Sequence, residues 1–258
     1  MTADLRPTER FSSRVADYVR YRPSYPSAAI SLLRDRCGLR PGAVVADLGS
    51  GTGILSRLLL EAGARVFGVE PNEGMRAAAE AALGADPAFS SIRGTAEETS
   101  LPAASIDLLV AGQAFHWFRV ADARREALRI LRPGAHAALL WNEHPSSGSP
   151  FLADYESLVR AHAPEYDQVV GSRADPQAMA EYFGHAPQCA RFPNQQQFDF
   201  EGLRGRLMSS SYAPQPGHPQ HEPLMHGLRQ VFDRHARAGE VLFPYVTLVY
   251  LAVPAAQR

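Results

Sequence analysis

The sequence predicts an α/β fold, a doubly wound and mostly parallel sheet with an inserted cap. Three observations carry that expectation. Apolar, strand-like runs alternate with helical stretches from about residue 28 to 142, the pattern of a sheet with helices on both faces. Runs such as Ile106-Asp-Leu-Leu-Val-Ala111 are almost continuously apolar, as strands covered on both sides are. An apolar stretch, Ala43 to Ala46, leads through Asp47-Leu-Gly-Ser-Gly-Thr-Gly53 into Ile54, Leu55, Leu58 and Leu59. That order is strand, tight glycine turn, helix.

In chain order, Ser27 to Cys37 is expected as a helix ended by Gly38 and Pro41. Strands are expected near 43–48, 65–70, 90–93, 106–111 and 135–142, with helices near 53–62, 72–83 and 120–131. Right-handed crossovers would then gather the loops that follow the strands at one end of the sheet, where ligands bind. From Pro145 the pattern breaks. Ser146-Ser-Gly-Ser-Pro150 reads as a loop and Phe151 to His162 as a helix. Pro164 to Pro223 is rich in proline, glycine and glutamine, with a strand pattern at Gln188–Phe200 and a short helix at Gly202–Ser210. A helix near 221–237 precedes the β-rich run Glu240 to Val253. The expected division is an N-terminal lid at 1–26, a core at 27–144 and 221–258, and a substrate cap at 145–220.

Ala64-Arg-Val-Phe-Gly-Val-Glu70 supplies the second strand of the first βαβ unit. It ends on a carboxylate roughly 20 positions after the glycine loop, where both hydroxyls of a ribose could donate to it. The glycine spacing selects the nucleoside. A dinucleotide loop reads G-x-G-x-x-G and faces a pyrophosphate, but here the glycines are Gly49, Gly51 and Gly53, with Ile54 at the third dinucleotide position. Asp47 beside the loop would repel a pyrophosphate and attract a cationic amine. S-adenosylmethionine (adenosine, a sulfonium and an amino-acid tail) meets these conditions.

On these residues the chain resembles the class I S-adenosylmethionine-dependent methyltransferases. It looks most like their small-molecule, type 11 branch, which includes ubiquinone and trans-aconitate methyltransferases. The motifs in order are Val45-Ala-Asp-Leu-Gly-Ser-Gly-Thr-Gly53, Gly68-Val-Glu-Pro-Asn-Glu-Gly-Met75, Arg93-Gly-Thr-Ala-Glu97, Asp107-Leu-Leu-Val110 and Leu131-Arg-Pro-Gly134. Tyr18-Val-Arg-Tyr-Arg-Pro-Ser-Tyr-Pro26 looks like the lid of this branch. The resemblance thins after about Asn142.

The resemblance implies a Rossmann-like, seven-stranded sheet closed by an antiparallel last strand, with S-adenosylmethionine as cofactor. Its cofactor-binding residues would be Tyr21 and Arg22 of the lid, and Asp47, Gly49, Ser50, Gly51, Thr52 and Gly53 of the loop. Glu70, Pro71 and Met75 would follow from the second strand, Thr95, Ala96 and Glu97 from the third, and Gln113 and Ala114 from the fourth. Arg22 suits the cofactor carboxylate, because a guanidinium matches a carboxylate bidentately. Met75 suits adenine contact and core packing equally. Tyr18, Tyr25, His116, Trp117, Trp141 and Asn142 are the candidate substrate residues, while Phe118 reads as packing. His116 is the catalytic candidate, since an imidazole can take a proton at neutral pH; the alternative is a structural hydrogen bond. Its loop lacks the Asn/Asp-Pro-Pro-aromatic sequence of enzymes acting on amide or exocyclic amine nitrogens, which argues against adenine or glutamine as acceptor.

The chain has 258 residues, enough for one large domain with a cap or two domains at most. A formal charge of -1 gives no bulk electrostatic reason for nucleic acid or an anionic membrane as partner. The 26 basic residues are all arginine, which excludes lysine Schiff-base chemistry. Cys37 and Cys189 are far apart and lack C-x-x-C spacing, so neither a zinc site nor a disulfide framework is indicated. His144 has no further ligands at metal spacing, and no metal is proposed. The polar N-terminus and the lack of an 18-residue apolar run lead us to expect a cytoplasmic protein. The expected function is methyl transfer to an O or N atom of a small organic molecule of the secondary-metabolite kind. The alternatives are a non-catalytic S-adenosylmethionine-binding protein and a nicotinamide-dependent oxidoreductase.

Overall fold

A computed structural model describes residues 15–145, 148–167 and 175–255. One seven-stranded sheet, in the order β3-β2-β1-β4-β5-β7-β6, runs through the molecule. Its strands are β1 (Val44–Leu48), β2 (Arg65–Val69), β3 (Phe89–Ile92), β4 (Ile106–Gly112), β5 (Leu131–Glu143), β6 (Gln188–Phe198) and β7 (Val241–Ala252). β1 to β5 pair in parallel, and β7 runs antiparallel between β5 and β6. The chain order reverses between β1 and β4, so the loops after these two strands diverge and leave a crevice between them. The expected sheet, with its antiparallel closing strand, is the observed one.

The helices are α1 (Val15–Tyr21), α2 (Ser27–Cys37), α3 (Ile54–Glu61), α4 (Glu73–Leu83), α5 (Val120–Ile130), α6 (Pro150–His162), α7 (Pro176–Phe183), α8 (Phe200–Met208) and α9 (His221–His235). A 3-10 turn spans Phe115–Trp117. Local sequence sets several of the boundaries. Gly38, at φ 77, closes α2 in a left-handed cap. The Asn72 side chain accepts from the Met75 amide and starts α4. Ser149 caps α6 with Pro150 in its first turn.

Three apolar clusters hold these elements together. On one face of the sheet α2 and α3 bury Ile30, Leu33, Leu55 and Leu59 against Val45, Val110 and Leu140. On the other face α5 and α7 bury Ala127, Ile130, Met179 and Phe183 against Leu109, Leu139 and Trp141. The third cluster joins Tyr155 of α6, Leu203 and Leu207 of α8, and Leu228 and Phe232 of α9 to Phe198, Phe243 and Tyr245 of the two antiparallel strands.

This third cluster redraws the expected cap. β6, placed in the cap at 145–220 by its sequence, pairs with β7 over its whole length, from Gln188↔Leu251 to Phe198↔Val241, and is an edge of the sheet. Its side chains alternate between exposed and half-buried, so it lacks the apolar run that marks an inner strand. Conversely, α9 was grouped with the core but packs on α6 in the cap cluster. α7 was not expected at all; Asp175 caps it and Pro176 opens it. The expected lid residues 1–14, loop residues 146–147 and cap residues 168–174 lie outside the described residues.

Candidate active site

The loop after β1 turns so tightly that Gly49, Gly51 and Gly53 adopt φ of 65, 56 and 84, a region that side-chain-bearing residues enter only at a cost. Gly49 and Ser50 donate their amides to the Val69 carbonyl at 2.8 and 3.2 Å, pinning the loop to the end of β2. Glu70 closes the arrangement. Its Oε2 accepts from the Gly51 amide at 2.9 Å and its Oε1 from the Asn72 amide at 2.8 Å. Burial pushes its pKa up while these two amides pull it down. Each carboxylate oxygen is thus aimed by the backbone and keeps a lone pair for a ligand hydroxyl.

Asp47, at the end of β1, is 1% exposed. Its Oδ2 accepts from the Ser56 hydroxyl at 2.7 Å, while its Oδ1 has no partner among the described residues. Burial pushes its pKa up to about 7. Nearby, the buried Thr52 hydroxyl is also unpaired. Both residues line one cleft with Tyr18, Arg22, Tyr25, Gly49, Gln113, Asn142 and Arg206. Two buried polar groups without partners on one wall form a site for a ligand group that can donate to them.

A second cleft opens on the other side of the loop. It is lined by Gly49, Gly51, Glu70, Pro71, Asn72, Met75, Thr95, Ala96, Glu97, Ala114, Trp117 and Phe118, among others. Tyr18, Gly49, Gly51, Gly112 and Gln113 line both clefts, so the two adjoin along the glycine loop and Gln113. Gln113 adopts φ 58, a strained conformation for a residue with a side chain. Its Nε2 donates to the Asn142 carbonyl at 3.0 Å.

Most of the residues expected at the cofactor meet here: Arg22, Asp47, Gly49, Ser50, Gly51, Thr52, Glu70, Pro71, Met75, Thr95, Ala96, Glu97, Gln113 and Ala114. Two do not line either cleft. Gly53 only turns the chain into α3, its Cα against Leu83. The Tyr21 ring packs against Gly205 of α8 so closely that a Cβ there would overlap the Tyr21 Cε2.

Of the expected substrate residues, Tyr18, Tyr25 and Asn142 line the first cleft and Trp117 the second. Three assignments change. Trp141 is fully buried, edge-on to Phe115 and Tyr250; the alternation along β5 turns it into the core beneath α7. His116 packs against Trp117, with ring centroids 4.6 Å apart and tilted at 44°, and lines neither cleft. Asn142 lines the cleft but is a clasp, its Nδ2 donating to the Ser24 carbonyl and its Oδ1 accepting from Asn194 and Thr247.

The sequence missed Asn72, Phe118, Arg119 and Arg206 in the lining. Phe118 and Arg119 could have been found from their position beside Trp117. Arg206 sits in a stretch with no motif and gave no signal.

Fold and site together resemble those of a class I S-adenosylmethionine-dependent methyltransferase domain. The unpaired Asp47 oxygen fits an ammonium, the aimed Glu70 carboxylate a ribose diol, and the glycine turn the close approach of a ligand. The family comparison is independent of this geometry. Residues 46–139 match the Methyltransferase domain of type 11. An uncharacterized methyltransferase of Mycobacterium tuberculosis is 42% identical over 132 residues, which are 51% of this chain and 51% of that protein. The chain spans about half the length of the curated relatives it matches in this way. A structure from Anaeromyxobacter dehalogenans, provisionally named a type II methyltransferase, aligns over 92% of this chain and 100% of its own, with TM-score 0.61 and 22% identity. The phosphoethanolamine N-methyltransferase 2 of Haemonchus contortus, solved with S-adenosylmethionine, aligns over 98% of this chain and 59% of its own, with TM-score 0.57 and 15% identity. No helix among the described residues is long and apolar enough to cross a membrane.

Proposed function

We propose that this chain transfers the methyl group of S-adenosylmethionine to an O or N atom of a small organic molecule, in secondary metabolism. The observation that carries this reading is the pair of adjoining clefts that share the glycine loop and Gln113. On this reading a nucleoside seated on Glu70 in one cleft and an amino-acid tail seated on Asp47 in the other meet at a narrowing beside Gln113. The bound cofactor supplies an electrophilic methyl there, which a nucleophile displaces from sulfur in line.

The residues of the chain hold and orient. Asp47 takes the ammonium, Arg22 the carboxylate, and Glu70 the ribose hydroxyls, with Met75 and Ala96 against the adenine. Tyr18, Arg22 and Tyr25 act as the described part of the lid, and α6, α8 and α9 with the ends of β6 and β7 as the cap. Tyr25, buried with its hydroxyl against Gly112, helps to keep water from the narrowing. Alignment of this kind is worth roughly 7–11 kcal/mol of barrier in well-oriented systems. No proton transfer is assigned to His116, which stands outside the lining.

The test is transfer of labelled methyl to a panel of carboxylic acids, phenols and N-heterocycles, alongside calorimetry with S-adenosylhomocysteine. Label in an extractable product is expected. Tight binding of S-adenosylhomocysteine with no transfer to any class would favour the non-catalytic binder and overturn the enzymatic reading.

A further inference from the structure

Arg206 is a charged cleft residue that the cofactor does not explain. It stands on α8 and is 5% exposed. Its Nε donates to the Tyr245 hydroxyl at 2.8 Å and its Nη1 to the Ser210 hydroxyl at 3.1 Å. Its guanidinium lies over the rings of Phe243 and Tyr245, 5.4 and 5.7 Å from their centroids. Among the described residues, the ionisable groups that act on it are the tyrosines 155, 212 and 245, and none is a carboxylate. A guanidinium stays charged at any physiological pH, and burying one without an anion is strongly unfavourable. The aromatic faces and two neutral hydroxyls offset part of that penalty. Only an anion entering the cleft would offset the rest.

Counting charges assigns the anion to the acceptor. The amino-acid tail of the cofactor brings one ammonium and one carboxylate. Asp47 matches the first. Arg22, whose Nη2 donates to the Ser209 carbonyl at the end of α8, matches the second. The sulfonium then adds a positive charge that Glu70 balances in the count, while Arg206 still faces no carboxylate among the described residues. A neutral acceptor would leave Arg206 unopposed.

We propose that Arg206 holds a carboxylate of the methyl acceptor, so that the substrate is a small organic acid anchored by this guanidinium. The methyl then goes to a different O or N atom of the same molecule, because a carboxylate whose lone pairs are engaged by a guanidinium is a weakened nucleophile; the S–C bond breaks to leave S-adenosylhomocysteine, and the proton of that O–H or N–H passes to solvent. This inference rests on the methyltransferase reading given above.

The experiment uses the whole chain saturated with S-adenosylhomocysteine and titrated calorimetrically with benzoate and propionate, each against its neutral carboxamide. At least one carboxylate is expected to bind tenfold or more tightly than its amide. Arg206→Met is expected to abolish that preference, Arg206→Lys to keep part of it, and both to leave S-adenosylhomocysteine affinity within about threefold. Equal binding of acid and amide, or no binding of either acid at millimolar concentration, would overturn the proposal in the unsubstituted protein, whatever the fate of the variants. A preference that survives Arg206→Met would also overturn it, as would a tenfold loss of S-adenosylhomocysteine affinity, which would assign Arg206 to the cofactor. The titration needs no turnover. A carboxylate preference without label transfer would therefore overturn the enzymatic reading, and the acceptor role with it, leaving Arg206 as a carboxylate site alone, whereas failure of S-adenosylhomocysteine to bind would overturn the cofactor site itself.

Discussion

Asp47 carries a carboxylate that burial would keep protonated up to a pH of about 7. A cofactor ammonium needs the charged form. Binding should therefore weaken as the pH falls below about 7, by as much as tenfold per unit, because the site must first lose a proton. Calorimetry with S-adenosylhomocysteine between pH 5.5 and 8 checks this; a flat profile would place the ammonium elsewhere. In the ligand-free fold the sign reverses. A raised native pKa means that the native state binds the extra proton, so stability declines as pH rises from the unfolded value toward 7. Asp47→Asn is accordingly expected to raise the ligand-free melting temperature by a few degrees while costing at least tenfold in S-adenosylhomocysteine affinity. His116 sets the opposite expectation. Because its ring packs against Trp117 outside the lining, His116→Ala should change turnover less than tenfold with any acceptor identified. A drop of about 10² to 10⁴ would instead mark it as a general base. Asp47 and Glu70 could be read from the sequence because a strand, a turn and a second strand fix their places. Arg206 could not, since in Phe200-Glu-Gly-Leu-Arg-Gly-Arg-Leu-Met208 nothing local tells the buried arginine from the exposed Arg204.

Two element-level contacts decide how the loops around the site are held. Glu126 of α5 is the first. Its Oε1 accepts from the Thr99 amide and hydroxyl at 2.9 and 2.5 Å, and Arg129 donates to both of its oxygens. It thereby ties the loop after β3, with Thr95 to Glu97, to α5. The Arg129 hydrogen bond, reinforced by Thr99, holds its carboxyl down at about 2. A depressed carboxylate contributes stability above its unfolded pKa, near 4.5, and loses it as the pH falls toward 2. Glu126→Gln should thus cost about 1–3 kcal/mol at pH 7, with the difference from the unsubstituted protein shrinking below pH 4 in denaturant titrations. The second contact is Tyr21 on Gly205, which seats α1 on α8. Gly205→Ala should push α1 off and cost about 1–3 kcal/mol by overpacking. It should also weaken S-adenosylhomocysteine binding several-fold, because Tyr18 and Arg22 move with the helix. Unchanged binding would show that the lid contributes nothing to the cofactor. Neither contact was legible, because each joins residues far apart in sequence through a single atom or ring.

At the scale of the whole molecule, the first five strands were legible because a sheet buried on both faces needs apolar strands at helix-length intervals. The cap was not, because it has no periodicity of its own. Its core borrows Phe198, Phe243 and Tyr245 from strands that also close the sheet, so chain position misled in both directions, losing β6 from the sheet and α9 from the cap. That shared pair of strands has a mechanical consequence. β6 and β7 stay paired without interruption from Gln188 to Phe198, and so act as a rigid spar through both halves of the protein. If the third cluster caps the proposed site, it would have no hinge on that side, and passage of substrate and product would fall to the seven residues of α1 and the short arm after it. Hydrogen exchange should reveal the division of labour, with α1 amides opening fast and the spar exchanging only with global unfolding.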